Sequence, residues 1–418
     1  MNEKRQRTPE DRKRFAALMV IFFTVFIDLI GFGIIIPILQ PYAIGKFGAT
    51  EFQAGILMGV FSMVQFFFTP LWGWLSDRFG RKPILLITLL GIALSYVVLA
   101  VANSLTMLFV GRIMAGFFAG NIAIAQSYVA DVTPPEKRAH GMGLIGAAFG
   151  LGFTFGPMIG GILAHWGYAA PSFAAAGASG IAFLFGLIVL EESYPKEKRS
   201  EPSELRHPIL NLAKVYSEHQ VRNVVFANFL WTTTFSMWEV VLVLFVGFEV
   251  FPEIPEDDLP MRVGMIFGVM GLLSAFIQGG MIRQLMKHFD ERKLTHIGIV
   301  FYIIGSLGFV GYLAGSFQGT FWPLVPALLL IAIGSAFMNT LPSAIVSRLV
   351  GPDRQGEVIG SFRGMGSLGR VVGPVVGAYL FAHLSHASPY IAGAVLMGVA
   401  FMLVMRRFDF FGQDTAKE

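Results

Sequence analysis

Four charged residues stand inside runs that are otherwise almost pure hydrocarbon. Asp28 sits in "FFTVFIDLIGFGIIIP" (22–37), Arg112 in "LFVGRIMAGFFAG", Glu239 in "FSMWEVV" and Arg370 in "GSLGRVVG". A charged Asp, Arg or Lys at the centre of a spanning helix costs about 2.5–3.5 kcal/mol, so the four together would cost on the order of 10 kcal/mol against lipid. They must therefore face one another or water. Two acids and two bases are expected to form neutralising pairs across a central cavity. A carboxylate held between a desolvating wall and a guanidinium can carry a proton, and Asp28 is the expected carrier, with Arg112 beside it and Glu239 as second candidate. The alternative left open is that these are structural ion pairs holding a bundle together.

Their neighbours at helical spacing are small or polar, as suits a helix against water or a close partner. Thr24, Asp28 and Gly31 form one stripe; Arg112, Gly116, Ala119, Ala123 and Gln126 a second; Asn228, Thr232 and Glu239 a third. Trp231, Phe235 and Trp238 offer flat apolar surface for a substrate, and Asn339 adds a polar group to the expected cavity.

The elements that position these groups follow from composition. Of 418 residues 55% are hydrophobic and only 14% charged, with a mean hydropathy of +0.65, too apolar for a soluble domain of this length. A spanning helix needs roughly 20 apolar residues, so twelve would occupy about 240 positions. Apolar runs fall at about 16–38, 52–75, 84–102, 106–130, 141–163, 170–190, 223–248, 263–286, 294–314, 323–347, 358–382 and 388–405. Asp28 and Arg370 then lie near mid-depth, Arg112 and Glu239 in the outer half. The basic N-terminus leads into a run too long for a signal-peptide core, so a retained first helix is expected.

Lys and Arg crowd every second connection: 78–82, 137–138, 196–222, 283–293, 348–354 and the C-terminal Arg406 and Arg407. By the positive-inside rule both termini are expected in the cytoplasm. This placement removes nucleic acid as the reason for the basic excess. With no cysteine, a disulfide, a thiolate nucleophile and a Cys-based metal site are excluded.

"PEKRAHGMGLIGAAFGLGFTFGPMIGGIL" (135–163) aligns without a gap to "PDRQGEVIGSFRGMGSLGRVVGPVVGAYL" (352–380). The two copies stand six runs apart, so both insert in the same direction. The expected architecture is an all-α membrane protein of twelve transmembrane helices, two six-helix bundles related by a parallel pseudo-two-fold repeat. The bundles would span 1–190 and 223–418. A cytoplasmic linker, 191–222, joins them, and in it Ile209, Leu212, Ala213 and Tyr216 share the face of a short amphipathic helix.

Three patterns carry no function. "GMGLIG" (141–146) and "GMGSLG" (364–369) satisfy a dinucleotide fingerprint but open apolar runs with no strand before them. "HLSH" (383–386) lacks a nearby acid, so no metal site is expected. No phosphate-binding G-x-x-x-x-G-K-[ST] loop is present, which argues against ATP as the driving force.

The connection "GWLSDRFGRKP" (73–83) resembles the G-x-L-x-D-R-x-G-R-K motif of the major facilitator superfamily, through Gly73, Asp77, Arg78, Gly80 and Arg81. The resemblance implies that Asp77 faces the start of helix 11, and that Arg81 pairs with Asp131 at the inner end of helix 4, as latches on the cytoplasmic side. "GLGFTFGPMIGGIL", with Gly152, Gly156, Pro157, Gly160 and Gly161, resembles the pattern of that superfamily's proton-coupled antiporter branch. "LFVGRIMAGFFAG" resembles the branch's helix 4 motif, where the Arg is linked to proton coupling. The chain is similar to tetracycline/proton antiporters and related multidrug exporters, with a departure: the charged groups those carry in helices 3, 8 and 9 align with Ser95, Ser274 and Tyr302.

The resemblance implies proton-coupled efflux of small amphipathic compounds by alternating access, driven by a proton gradient and needing no cofactor. It also implies a monomer in a lipid bilayer, the bacterial inner membrane. A facilitator or symporter for an endogenous metabolite, sugar or lipid is the nearer alternative, and a non-transporting membrane receptor the further one. No catalytic nucleophile points to an enzyme.

Overall fold

The computed structural model describes residues 9–134, 138–194, 219–255, 258–350 and 355–405. These residues build helices α1 (Pro9–Phe47), α2 (Glu51–Phe79), α3 (Arg81–Ala100), α4 (Leu105–Phe118), α5 (Asn121–Val132), α6 (Arg138–Leu163) and α7 (Ala169–Val189). After the linker come α8 (His219–Phe245), α9 (Leu259–Phe276), α10 (Ile282–Leu285), α11 (Glu291–Ala314), α12 (Val325–Arg348), α13 (Gln355–His383) and α14 (Ser388–Met405). π turns at Val246–Val250 and Ile277–Met281 extend α8 and join α9 to α10. No strand is present among the described residues.

Among the described residues ten helical segments are long and apolar enough to cross a membrane, and Ser388–Val404 is a shorter apolar helix. Large apolar side chains such as Phe67, Ile188, Phe276 and Val395 are exposed on them, as lipid contact requires. The amphipathic helix expected at 209–216 lies outside the described residues.

Local chemistry sets the helix ends. Thr50 caps α2 by accepting a hydrogen bond from Gln53 N, while the Gln53 side chain accepts one from Thr50 N. Only Gly80 separates α2 from α3, and its φ of +107° is a conformation that side-chain-bearing residues rarely adopt. That turn explains the second glycine of the 73–83 motif.

The run at 106–130 is not one helix. It breaks at Ala119–Gly120, where short-range backbone bonds such as Gly120 N to Phe118 O tighten the chain. The break frees carbonyls that would be costly unsatisfied in lipid. Trp72 Nε1 donates to Phe117 O, and Gln65 Nε2 donates to Ala119 O at 3.1 Å, both from α2.

The repeat is visible in the packing. A Cβ at Gly152, Gly156 or Gly160 of α6 would strike α1; at Gly160 it would stand 2.2 Å from Ile34 O. At the aligned Gly369, Gly373 and Gly377 of α13 it would strike α8 between Phe229 and Val241. The same glycine ridge thus seats the fifth run on the first and the eleventh on the seventh.

α2 against α13 and α6 against α9 join the two sets of helices. Contact is tight at one end of these pairs: Gly55 and Gly59 meet Pro374, Val375 and Ala378, and Gly161 meets Pro260 and Met261. At the other end a Cβ on Gly73, Gly150, Gly279, Gly280 or Gly360 would find nothing within 4 Å. The halves close at the Gly55 end and part at the end bearing the 73–83 motif.

Candidate functional site

Asp28 is 5% exposed, midway along α1, and its carboxylate is held by two neutral donors. Asn121 Nδ2 donates to Oδ2, and Ser179 Oγ donates to Oδ1 at 3.1 Å. The break before α5 makes this possible. It sets Asn121 at the start of α5, where Asn121 Oδ1 accepts from Ile122 N and the positive helix end lies beside the carboxylate. All of Asp28's partners belong to the first set of helices.

Arg112 is buried about two turns before the break and does not pair with Asp28. Its Nε and Nη2 donate to Leu57 O and Met58 O on α2, each at 3.3 Å, and its guanidinium lies 4.6 Å from the centre of the Phe61 ring. This replaces the expected Asp28–Arg112 pairing. The continuous stripe read from Arg112 to Gln126 assumed a straight helix, and the break turns the two apart.

Glu239 of α8 lies within electrostatic reach of both Arg370 and Arg112. It thus feels a charge from each half. Arg370 Nη2 donates to Ser367 Oγ at 2.9 Å.

The residues expected to line a cavity divide. Trp231 is 1% exposed, packs against Tyr302, and donates from Nε1 to Asn339 Oδ1 at 3.2 Å. Trp238 is also buried in the core of the second half, and Phe235 stacks beside it, partly buried. The two indoles thus pack the core and are not free surface. Asn228 Nδ2 donates to Phe362 O at 2.8 Å, fastening α8 to α13. Thr24 and Thr232 bond back to their own helices. Gln126 is reached from the other half by Arg363, whose Nη1 donates to Gln126 Oε1.

At the motif end Arg81 is almost fully buried and gathers four segments. Nε donates to Asp131 Oδ2 at 3.0 Å, Nη1 donates to Ser76 Oγ at 2.7 Å and pairs with Asp77, and the backbone N donates to Glu192 Oε1 at 2.9 Å. Its guanidinium also lies 5.1 Å from the Tyr194 ring centre. These contacts stay within the first half. The Asp77 side chain is 59% exposed on the parted side, with the Arg78 guanidinium over the Trp74 ring. Of the two histidines of "HLSH", His386 meets Glu249, while His383 Nδ1 lies 3.1 Å from Tyr379 O, so they converge on no common point.

Sequence reasoning missed Asn121, Ser179, Glu192 and Arg363. Arg363 lies inside the 358–382 run but near its edge, where a basic residue reads as flanking charge. Asn121 and Ser179 are uncharged and leave no mark in an apolar count.

Buried charges inside a multi-pass helical membrane protein, glycine-ridged helix pairs and two sets of helices packed tightly at one end define a transporter fold. The Major Facilitator Superfamily model matches residues 21–312 and 309–411, and the chain belongs to that family. It is 32% identical over 390 residues to the class C tetracycline resistance protein of Escherichia coli, covering 93% of this chain and 95% of that protein. The class E protein of Escherichia coli is 33% identical over 379 residues, 87% of this chain and 88% of that one. Among solved structures, the human organic anion transporter MFSD10 (TETRAN) superposes with a TM-score of 0.70 at 26% identity, covering 94% of this chain and 99% of that chain. Resemblance to the drug/proton antiporter branch therefore extends over nearly the whole length.

Proposed function

We propose that this protein is a secondary active transporter that exports small amphipathic compounds in exchange for protons by alternating access. In this reading twelve helices span the bacterial inner membrane, both termini face the cytoplasm, and the monomer works without a cofactor, with the proton gradient as its energy source.

One observation carries the reading. Asp28 is a carboxylate buried at membrane depth and held only by the neutral donors Asn121 and Ser179. A guanidinium partner would fix its charge. Neutral partners let it gain or lose a proton as the helices around it move, because the anion and the acid can both be hydrogen-bonded there. Glu239, between Arg112 and Arg370, is the second protonatable group and lies where the two halves meet. Protonation there alters the attraction across the seam, which links proton occupancy to the relative stability of the two openings. The tetracycline resistance relatives support export of a drug-like compound.

The test uses the full-length protein in proteoliposomes with an imposed pH gradient, tetracycline as first probe, and a susceptibility screen in an efflux-deficient host to widen the panel. Asp28→Asn is expected to abolish gradient-driven movement. Unchanged gradient-driven flux in that variant removes Asp28 as carrier, and substrate moving in the same direction as protons replaces antiport by symport.

A further inference from the structure

α13 carries Arg363 and Arg370 seven residues apart, about 20° apart around the helix, and both are exposed. On the helix they fall between two occupied sectors. Gly366, Gly369 and Gly373 lie against α8, and Val371, Pro374 and Ala378 lie against α2 of the other half. The sector between those neighbours faces the seam. Arg363 confirms the direction by reaching Gln126 on α5.

Neither guanidinium has a countercharge of its own. Among the described residues the ion pairs join Arg81 to Asp77 and Asp131, Arg348 to Glu291 and His386 to Glu249. Arg363 is bonded by an amide oxygen and Arg370 by a hydroxyl. Asp28 has turned into the first half. Among the described residues no acid is ion-paired to Arg363 or Arg370, and the one acid that acts on Arg370, Glu239, also acts on Arg112. Guanidinium presents five donors in a planar fork that fits a carboxylate, and Gln126 occupies little of that capacity.

We propose that Arg363 and Arg370 are the anion-binding end of the substrate site, and that the compound carried is an amphipathic organic anion bearing a carboxylate. This deepens the transport reading above and rests on it. The carboxylate takes the place of Gln126 on Arg363, and Arg370 receives a second acceptor of the same molecule. Phe235, partly buried on the face of α8 that carries Glu239, meets the apolar body.

Binding and transport are tested separately. Carboxyfluorescein, an anionic probe, and ethidium, a cationic one, are titrated by fluorescence anisotropy against purified full-length wild type and the variants Arg363→Gln, Arg370→Gln and Arg363→Lys, each checked for a monodisperse elution profile. Loss of a charge-assisted bidentate contact is expected to weaken carboxyfluorescein about tenfold or more in each Gln variant, with partial retention in Arg363→Lys, while ethidium binding holds or strengthens. Equal anion affinity in wild type and both Gln variants overturns the proposal. So does a wild type that binds ethidium and ignores carboxyfluorescein, or binds neither. In proteoliposomes, ethidium driven by the proton gradient with carboxyfluorescein left behind sinks only the anion site. Anion binding that depends on the arginines, without any response to the gradient, sinks only the proton-coupled reading.

Discussion

Asp28 illustrates how a single side chain can be legible in type and illegible in setting. A carboxylate in a sixteen-residue stretch that is otherwise almost wholly apolar announces a cost that something must offset, and no alignment is needed to see it. What offsets it could not be read, because Asn121 and Ser179 are ordinary polar residues on other helices, the first placed by a backbone break. The geometry makes the two roles separable. Asp28→Asn keeps the shape and removes a buried charge, so its thermal stability in detergent should equal or exceed wild type while transport is lost. Asn121→Ala leaves the carboxylate short of a donor and should cost about 1–3 kcal/mol of stability, the penalty for an unsatisfied buried polar group. Thermal unfolding of both, beside flux, checks the pair; a destabilised Asp28→Asn with a stable Asn121→Ala would mean that the carboxylate is held for structure.

At the scale of elements, apolar length and the spacing of charges placed the helices well, since a membrane span leaves few other ways to satisfy a backbone. The break at Ala119–Gly120 escaped because Gly116, Ala119 and Ala123 read as one packing stripe within an unbroken apolar run, and the carbonyls it frees are met by Trp72 and Gln65, forty and more residues away in sequence. The glycine pattern of α6 was visible; which helix it touched was not. Two positions on that helix now have opposite expectations. Gly160→Val would put a branched side chain where a Cβ alone stands 2.2 Å from Ile34 O, so α1 and α6 must separate and folded yield in membranes should collapse. Gly150→Ala meets nothing within 4 Å and should give wild-type yield. Comparable yields for Gly160→Val and Gly150→Ala, measured by fluorescence-detected size exclusion, would contradict the close packing of α1 on α6.

For the whole molecule, the decisive feature is a register that runs past the point where contact stops. α2 and α13 are antiparallel, and Gly55 meets Ala378 while Gly59 meets Pro374 and Val375, so four residues forward on one match four back on the other. Eighteen residues on from Gly55 is Gly73, and eighteen back from Ala378 is Gly360. Eighteen residues make about five full turns, which returns each glycine to the same face. Gly73 and Gly360 therefore stand opposite one another across the parted end, each with open space before it. In the proposed alternating-access cycle, the first glycine of the 73–83 motif would be the seat for α13 when that end shuts.

The chain has no cysteine, so a pair introduced there has no competitor. Gly73→Cys with Gly360→Cys should form a disulfide under mild oxidant, because closure in this register brings the two Cβ atoms to bonding range. Crosslinking should stop transport, and dithiothreitol should restore it. Gly73→Cys with Phe362→Cys, two residues out of register and facing away, should crosslink poorly. Equal crosslinking of the two pairs, or a crosslinked protein that still transports, would show that the halves do not close along the line on which they already touch.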